Sequence, residues 1–304
     1  MTPPAAPLLT IGIPLHRSRP FVEVASANIA AVDRTDVEFL VSDATGHDDA
    51  LPVLAARHAG DPRVAPLRTV DGADWVDHCN ALLRRARGTY FCWMPHDDSF
   101  PPGWVDTLLG CLEAAPDVLM AFGRIDPVSV DGAPAARGRY RHPAPGTESG
   151  PWTVHDAVTA VTEWRAGYAF TGVFRRGPVV ARGLFLPRTR DGIAADTAWV
   201  FGMALLGRLR YVPEAVYHKR YHEASAHGTW RYRAAHHLSL GWALARYAVR
   251  YGASPAATVV ALAAAAEVTA KRLVWGPGER WAWPLARLGR VGGRALRRAR
   301  PLDG

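Results

Sequence analysis

Long apolar runs are missing from this 304-residue chain. The longest, Ala256 to Ala266, is alanine-rich and well short of the ~20 residues needed to cross a bilayer, so no transmembrane span is predicted. Cysteine is also scarce. Cys79, Cys92 and Cys111 are odd in number and lack CxxC spacing, which argues against a disulfide framework or a zinc ribbon and for reduced, buried thiols. The first residues, Met-Thr-Pro-Pro-Ala-Ala-Pro, have no basic stretch ahead of the first strand-like run, so no secretory leader is expected. Acidic residues are few near the other end. From Lys271 onward nine basic residues face only Glu279 and Asp303, which accounts for +7 of the net +8. The first 270 residues are therefore nearly neutral, and a nucleic-acid-binding body is not indicated.

What is present alternates between strand and helix patterns. Leu8 to Pro14 and Val37 to Asp43 read as strands around a helix at Phe21 to Val32. Asp49 to His58 and Trp75 to Ala86 read as helices, with Val64 to Arg68 and Tyr90 to Met94 as further strands. Pro102 to Ala114 suits a helix and Val118 to Gly123 a strand, followed by a Gly/Pro/Arg-rich loop from Asp131 to Trp152. A second block begins with a helix at Val154, continues through Tyr168 to Arg175 and a helix at Asp196 to Leu206, and reaches a strand at Leu209 to Val212. Two helical stretches, about 231 to 251 and 255 to 273, lead to the basic tail. Such alternation predicts an α/β fold, a mostly parallel sheet covered by helices with a helical appendage. Ligands bind such sheets beyond the carboxyl ends of the strands. Asp43 and His96-Asp97-Asp98 each follow a strand directly and fall at that edge.

Adjacent carboxylates at Asp97 and Asp98 repel unless something cationic joins them, and hard oxygen ligands favour Mg2+ or Mn2+ shared with a diphosphate. Capping of the helix after Pro101-Pro102 is the other reading of the same residues. Asp43 as a turn residue, and Asp196 as a helix N-terminal acid, likewise have purely structural readings. His218 and His222, with His227, His236 and His237, lack the HExxH glutamate of a zinc hydrolase.

In order along the chain stand Ile13-Pro14, Phe39-Leu40-Val41-Ser42-Asp43, Asn80 to Tyr90 with its Ala86-Arg87-Gly88 passage, and His96-Asp97-Asp98. Gly167 to Arg176, Ala195-Asp196-Thr197 and Leu206 to Pro213 follow. This set, spanning residues 8 to about 227, resembles the family-2 inverting glycosyltransferases of the GT-A fold. The resemblance implies a catalytic domain over 1–228, its nucleotide-binding half about 8–125 and its acceptor half about 150–228, then a helical region 229–275 and a tail 276–304. It further implies transfer from a nucleoside-diphosphate sugar to a glycan, lipid-linked or small-molecule acceptor. Pro14, Leu15, His16, Asp43, Asn80 and Asp97 would meet the nucleotide sugar. Asp97, Asp98 and His222 would hold Mn2+ or Mg2+, and Asp196 would be the base. Trp152, Trp164, Gly172 and Arg175 would lie on the acceptor side. Pro95 stands where the family's first Asp is usual, and Ala195 where a Glu precedes the base. A GT-A-like module that binds nucleotide sugars without transferring them is the rival. No nucleic-acid partner is expected. The location expected is cytoplasmic, with peripheral contact to an anionic membrane if residues 284–300, where Leu285, Leu288, Val291 and Leu296 alternate with arginines, form an interfacial helix rather than a solvated basic end.

Overall fold

β1 (Leu9–Leu15) is sealed on both faces, as its unbroken apolar sequence requires. It pairs in parallel with β2 (Val37–Asp43) on one side and β4 (Tyr90–Trp93) on the other, and β2 pairs in parallel with β3 (Val64–Arg68). The crossovers are α1 (Val22–Ala31), α2 (Ala50–Arg57) and α3 (Trp75–Arg85). Asp74 caps α3, its side chain accepting from the Asp77 N–H at 2.8 Å. α4 (Trp104–Ala114) leads into β5 (Val118–Val128). The computed structural model describes residues 6–43, 50–68, 74–135, 151–152, 166–222, 230–252 and 254–275. The helix expected at Val154, Trp164 and the tail lie outside them.

β6 (Pro151–Trp152), β7 (Val173–Arg175), α5 (Arg176–Ala181), α6 (Ala195–Leu206) and β8 (Arg208–Arg220) complete the sheet and its flanking helices. Strand order is β3-β2-β1-β4-β7-β5-β8-β6. β7 runs antiparallel between β4 and β5, so β5 regains the direction of β4, and β8 follows it in parallel. The carboxyl ends of β1, β2, β4, β5 and β8 therefore share one edge. α1, α2 and α4 pack on one face with Ile11, Ile13 and Phe39, and α3 and α6 on the other with Phe91, Trp93 and Phe174.

β5 and β8 run much further than their sequence patterns suggest. Pro213 and Glu214 interrupt the apolar pattern of β8, yet pairing resumes beyond them, from Val212↔Gly123 to Val216↔Arg124. The extra residues form a bulge, which accommodates a proline that cannot donate to the ladder. At the bulge Gly123 lies so close to the Ala215 carbonyl that any Cβ would collide with it. Past the bulge, β8 carries Tyr217, Lys219 and Arg220 to the carboxyl edge.

α7 (Ala234–Tyr251) and α8 (Pro255–Trp275) form a hairpin, with α7 against α6 and α8 packed on α7. Among the described residues no helix is long and apolar enough to cross a membrane. Cys79 and Cys92 are buried, Cys111 is half-buried, and all three are free thiols. Burial pushes each thiol's pKa up and leaves it unreactive.

Candidate active site

The turn after β4 carries the two adjacent carboxylates, and the structure gives them different surroundings. Asp98 is fully buried. Its Oδ1 accepts the Arg220 backbone N–H at 2.8 Å, and its Oδ2 accepts from the Tyr217 hydroxyl and the Lys219 ammonium, each at 3.1 Å. The Asn28 amide holds the Asp98 carbonyl at 2.8 Å. Burial pushes the Asp98 carboxyl upward, and Lys219 opposes that shift; Asp98 and Asp97 together hold Lys219 firmly protonated against its own burial. The expectation of two carboxylates on one cation is thereby revised. Asp98 has its oxygens filled and fastens β8 to the β4 turn. Nor does it cap α4, whose first turn follows Gly103 at φ +83°.

Asp97 faces the other way. Its Oδ2 lies 2.9 Å from His222 Nε2, and these side chains keep 13% and 12% exposure where Asp98 has none. β8 ends at Arg220 on the same edge as β4, which is why His222 arrives there. Phe21 packs against the His222 ring at 4.8 Å and the His96 ring at 5.8 Å, and His96 Nδ1 lies 3.3 Å from the Pro14 carbonyl. Burial favours the neutral acid at Asp97, but His96, Lys219 and His222 outweigh it and hold the carboxyl below its usual range. The Arg220 guanidinium donates to the Asp97, Ser129 and Val130 carbonyls and so fixes the turn.

Hard oxygen and imidazole nitrogen side by side suit Mn2+ or Mg2+, which commonly take one or two protein donors and complete their shell with phosphate and water. Among the described residues no group of three or more His, Cys, Asp or Glu is placed to hold a metal. Asp97 and His222 are the donors that this edge would offer to such a cation.

Asp43 closes β2, in register with Leu15 and Arg68, and is nearly buried. Beside it His78 is buried, with no hydrogen-bond partner for its Nε2 among the described residues; burial, against the pull of Asp43, lowers its pKa to about 4. Sequence reading overlooked His78, which a helix pattern presents as one more interior position. Pro14 and His16 lie at the end of β1, His16 exposed. Leu15 is wholly in the core.

Asn80 does not turn toward this edge. Its amide donates to the Leu186 carbonyl at 3.0 Å and accepts the Leu186 N–H at 2.8 Å, joining α3 to the loop before α6. Arg175 ends a strand that runs antiparallel, which puts it beside Tyr90 at the opposite edge of the sheet. There its guanidinium donates to the Leu112, Ala115 and Val118 carbonyls around the end of α4. Trp152 pairs with Leu209 at the start of β8, again at that far edge. Gly172 is required by packing, since a Cβ would collide with the Ala121 carbonyl. Arg175 and Trp152 are thus corrected from acceptor-side to far-edge positions, because β7 and β6 oppose the parallel strands.

Asp196 opens α6, and because α6 returns the chain to the start of β8, its N-terminal end lies at the carboxyl edge. The carboxylate is buried, with the Thr197 N–H donating to its Oδ1 at 2.7 Å. The approach to it is strained: Asp191, Gly192 and Ala194 have φ of +53°, +69° and +60°. Left-handed non-glycine residues cost about 1 kcal/mol or more each and persist where the surroundings enforce them. Here His236 Nε2 holds Asp191 at 2.9 Å, and Trp75 packs directly over Gly192. Trp75 in turn meets Phe170 and Trp230, and its buried indole N–H has no hydrogen-bond partner among the described residues.

Comparison with known proteins bears on the fold and the family. The structure is similar to S. aureus TarS residues 1–349 in complex with UDP-GlcNAc, with TM-score 0.67, 12% identity, and coverage of 86% of this chain and 72% of that one. It is also similar to the mannosyltransferase PcManGT from Pyrobaculum calidifontis in complex with GDP-Man and Mn2+, with TM-score 0.56, 19% identity, and coverage of 98% and 82%. At these identities the likeness establishes the fold. No curated protein matches the chain in sequence. The family model for glycosyl transferase family 2 matches residues 10–172, more than half of the chain, and the protein therefore belongs to that family of glycosyltransferases.

Proposed function

We propose that the protein is a metal-dependent, inverting transferase that moves a sugar from a nucleoside-diphosphate sugar to an acceptor hydroxyl. The observation that carries this reading is the convergence at one sheet edge of the partly exposed Asp97–His222 pair and of Asp196 at the start of α6. Residues 1–228 form the catalytic unit in this reading, with 229–275 as a helical appendage and 276–304 as a basic tail. The binding of UDP-GlcNAc by TarS and of GDP-Man by PcManGT supports a donor of the same chemical class.

Asp43 and the end of β1 bound the space for the base and ribose, and Asp97 with His222 would hold Mn2+ or Mg2+ against the diphosphate. When bound, the cation supplies charge neutralisation for the departing nucleoside diphosphate. Asp196 takes the proton of the acceptor hydroxyl as its oxygen bonds to the anomeric carbon. The bond from that carbon to the diphosphate oxygen breaks, its electron pair leaving with the phosphate. Attack opposite the leaving group inverts the anomeric centre, and no covalent enzyme intermediate forms. Trp75 and Trp230 supply an apolar wall of the kind that packs on a sugar ring.

The test is a transfer and hydrolysis screen against a panel of nucleotide sugars with Mn2+ or Mg2+, repeated with Asp196→Asn. Transfer should fall ~100-fold or more with donor affinity unchanged, since the residue acts on the acceptor. Retention of over about a tenth of turnover would assign the base elsewhere. Metal-dependent nucleotide binding with no donor consumed would favour the non-transferring module.

A further inference from the structure

The hairpin of α7 and α8 presents apolar side chains that nothing else in the described structure covers. On α7 Leu238, Trp242 and Val249 recur at i, i+4 and i+11, one stripe, and are 55%, 75% and 68% exposed. On α8 the face turned away from α7 consists of Ala256, Val259, Ala263, Ala266, Ala270 and Leu273, all exposed over five turns without one polar side chain. Monomeric proteins rarely leave this much apolar surface on one helical hairpin open to water.

Charge identifies what fits it. Residues 231–304 contain thirteen Lys and Arg against Glu267, Glu279 and Asp303, a net +10, whereas the whole chain is +8. The remainder is slightly acidic. α7 has no acidic residue at all, and its exposed Arg246 and Arg250 flank the Leu238-Trp242-Val249 stripe. A second copy seated on this face by a two-fold axis would bring these guanidinium groups toward their own equivalents. An anionic lipid surface instead offers phosphates to the arginines and acyl chains to the apolar stripe, with the arginine stems extending along the apolar surface. Directly after α8 the sequence continues with Trp281, Trp283 and seven arginines, the residue types that favour an anionic interface.

We propose that the α7–α8 hairpin is a membrane-docking surface that seats the enzyme peripherally on an anionic bilayer, with Trp242 and Val259 as its apolar anchors. In the first turn of α7, His236 holds Asp191 in the loop before Asp196, so the docked face lies on the helix that buttresses the approach to the base. The inference stands on exposure and charge and does not depend on which sugar is transferred.

Flotation of the full-length protein tests it, using phosphatidylcholine vesicles with and without about a third phosphatidylglycerol, at about 0.1 M and about 0.5 M NaCl. The protein should float with the anionic vesicles, and less at high salt. Trp242→Glu combined with Val259→Glu should weaken that partition at least about tenfold, because carboxylates replace inserted side chains. Melting temperature and nucleoside-diphosphate affinity should stay unchanged, since both positions are on the surface. Absence of flotation by the parent overturns the proposal. So does equal flotation of the double variant, which would assign binding to the tail alone. A dimer seen by light scattering and dissolved by the same substitutions, without flotation, would assign the face to a second copy.

Discussion

Lys219→Met separates the two carboxylates of the β4 turn most sharply. In the parent, the Lys219 ammonium sits 3.1 Å from Asp98 Oδ2, and the Asp98 side chain has no exposure to water. Removing the lysine leaves that carboxylate with the Tyr217 hydroxyl and the Arg220 N–H, and without a countercharge. Breaking a buried ion pair in this way costs about 3–5 kcal/mol. For a domain of this size that corresponds to a fall of roughly 10 °C in melting temperature. Asp98→Asn alone should cost somewhat less, because Lys219 then loses its hydrogen-bonded countercharge and keeps only the longer-range pull of Asp97. Combining the two leaves neutral groups of similar shape and should recover much of the loss.

Thermal melts and urea unfolding of the four proteins give the coupling, expected at about 2–3 kcal/mol. The reasoning requires that stability, and not metal affinity, is where Asp98 acts. If Asp98→Asn melts with the parent while losing metal-dependent binding of nucleoside diphosphate, Asp98 is a ligand and its assignment as a fastener is refuted.

Asn80→Ala should destabilise the protein by about 2–4 kcal/mol in urea unfolding, since it leaves both the N–H and the carbonyl of Leu186 unpaired in the core, and should leave nucleoside-diphosphate affinity unchanged. His78 gives a pH signature: with its folded pKa depressed to about 4, the unfolded chain binds the extra proton first as pH falls below the ordinary histidine range. Stability should thus drop between about pH 6.5 and 4, by up to about 3 kcal/mol, relative to a His78→Gln variant whose stability lacks this component. Parallel pH profiles for the two proteins would contradict it.

The central strands were legible in the sequence because each is buried on both faces and bounded by Pro, Gly or Asp. Val37 to Asp43 was read to the residue, and its acidic end marks the ligand edge. The second half of β8 was hidden by Pro213 and Glu214, which imitate a strand end, and only the bulge opposite Gly123 reveals that pairing continues. With it were hidden Tyr217, Lys219 and Arg220, the residues that take Asp98 out of contention as a ligand. Arg175 and Asn80 illustrate a different limit. Guanidinium and amide groups suit a ligand and a stray carbonyl equally well, and only topology says which is within reach. Trp152 went to the wrong edge for the same reason, since nothing in a two-residue strand announces its direction.

The two departures from the family pattern become intelligible together. Ala195 stands where a glutamate is usual, and its side chain is fully enclosed by a cluster that includes Trp93 and Trp199, so a carboxylate there would be buried without a partner. Asp196 is positioned instead by backbone: a strained approach held by Asp191–His236 and by Trp75 over Gly192, and the Thr197 N–H on its Oδ1. Pro95 removes the first acid of the β4 turn, and Lys219 occupies Asp98. Asp97 is thus the turn's one carboxylate open to the cleft, with His222 beside it and Lys219 adding positive charge. Two protein donors alone make a poor cage for a hard divalent cation, whereas diphosphate oxygens would complete it. Mn2+ should therefore bind weakly to the protein by itself and at least about tenfold more tightly once a nucleoside diphosphate is present, the nucleotide gaining the same factor from the metal by linkage. Asp97→Asn and His222→Ala should each abolish that mutual gain while leaving the metal-free nucleotide affinity unchanged. Calorimetric titrations in both orders decide the matter: tight Mn2+ binding without nucleotide, or a coupling that survives both substitutions, would place the cation on residues other than this pair.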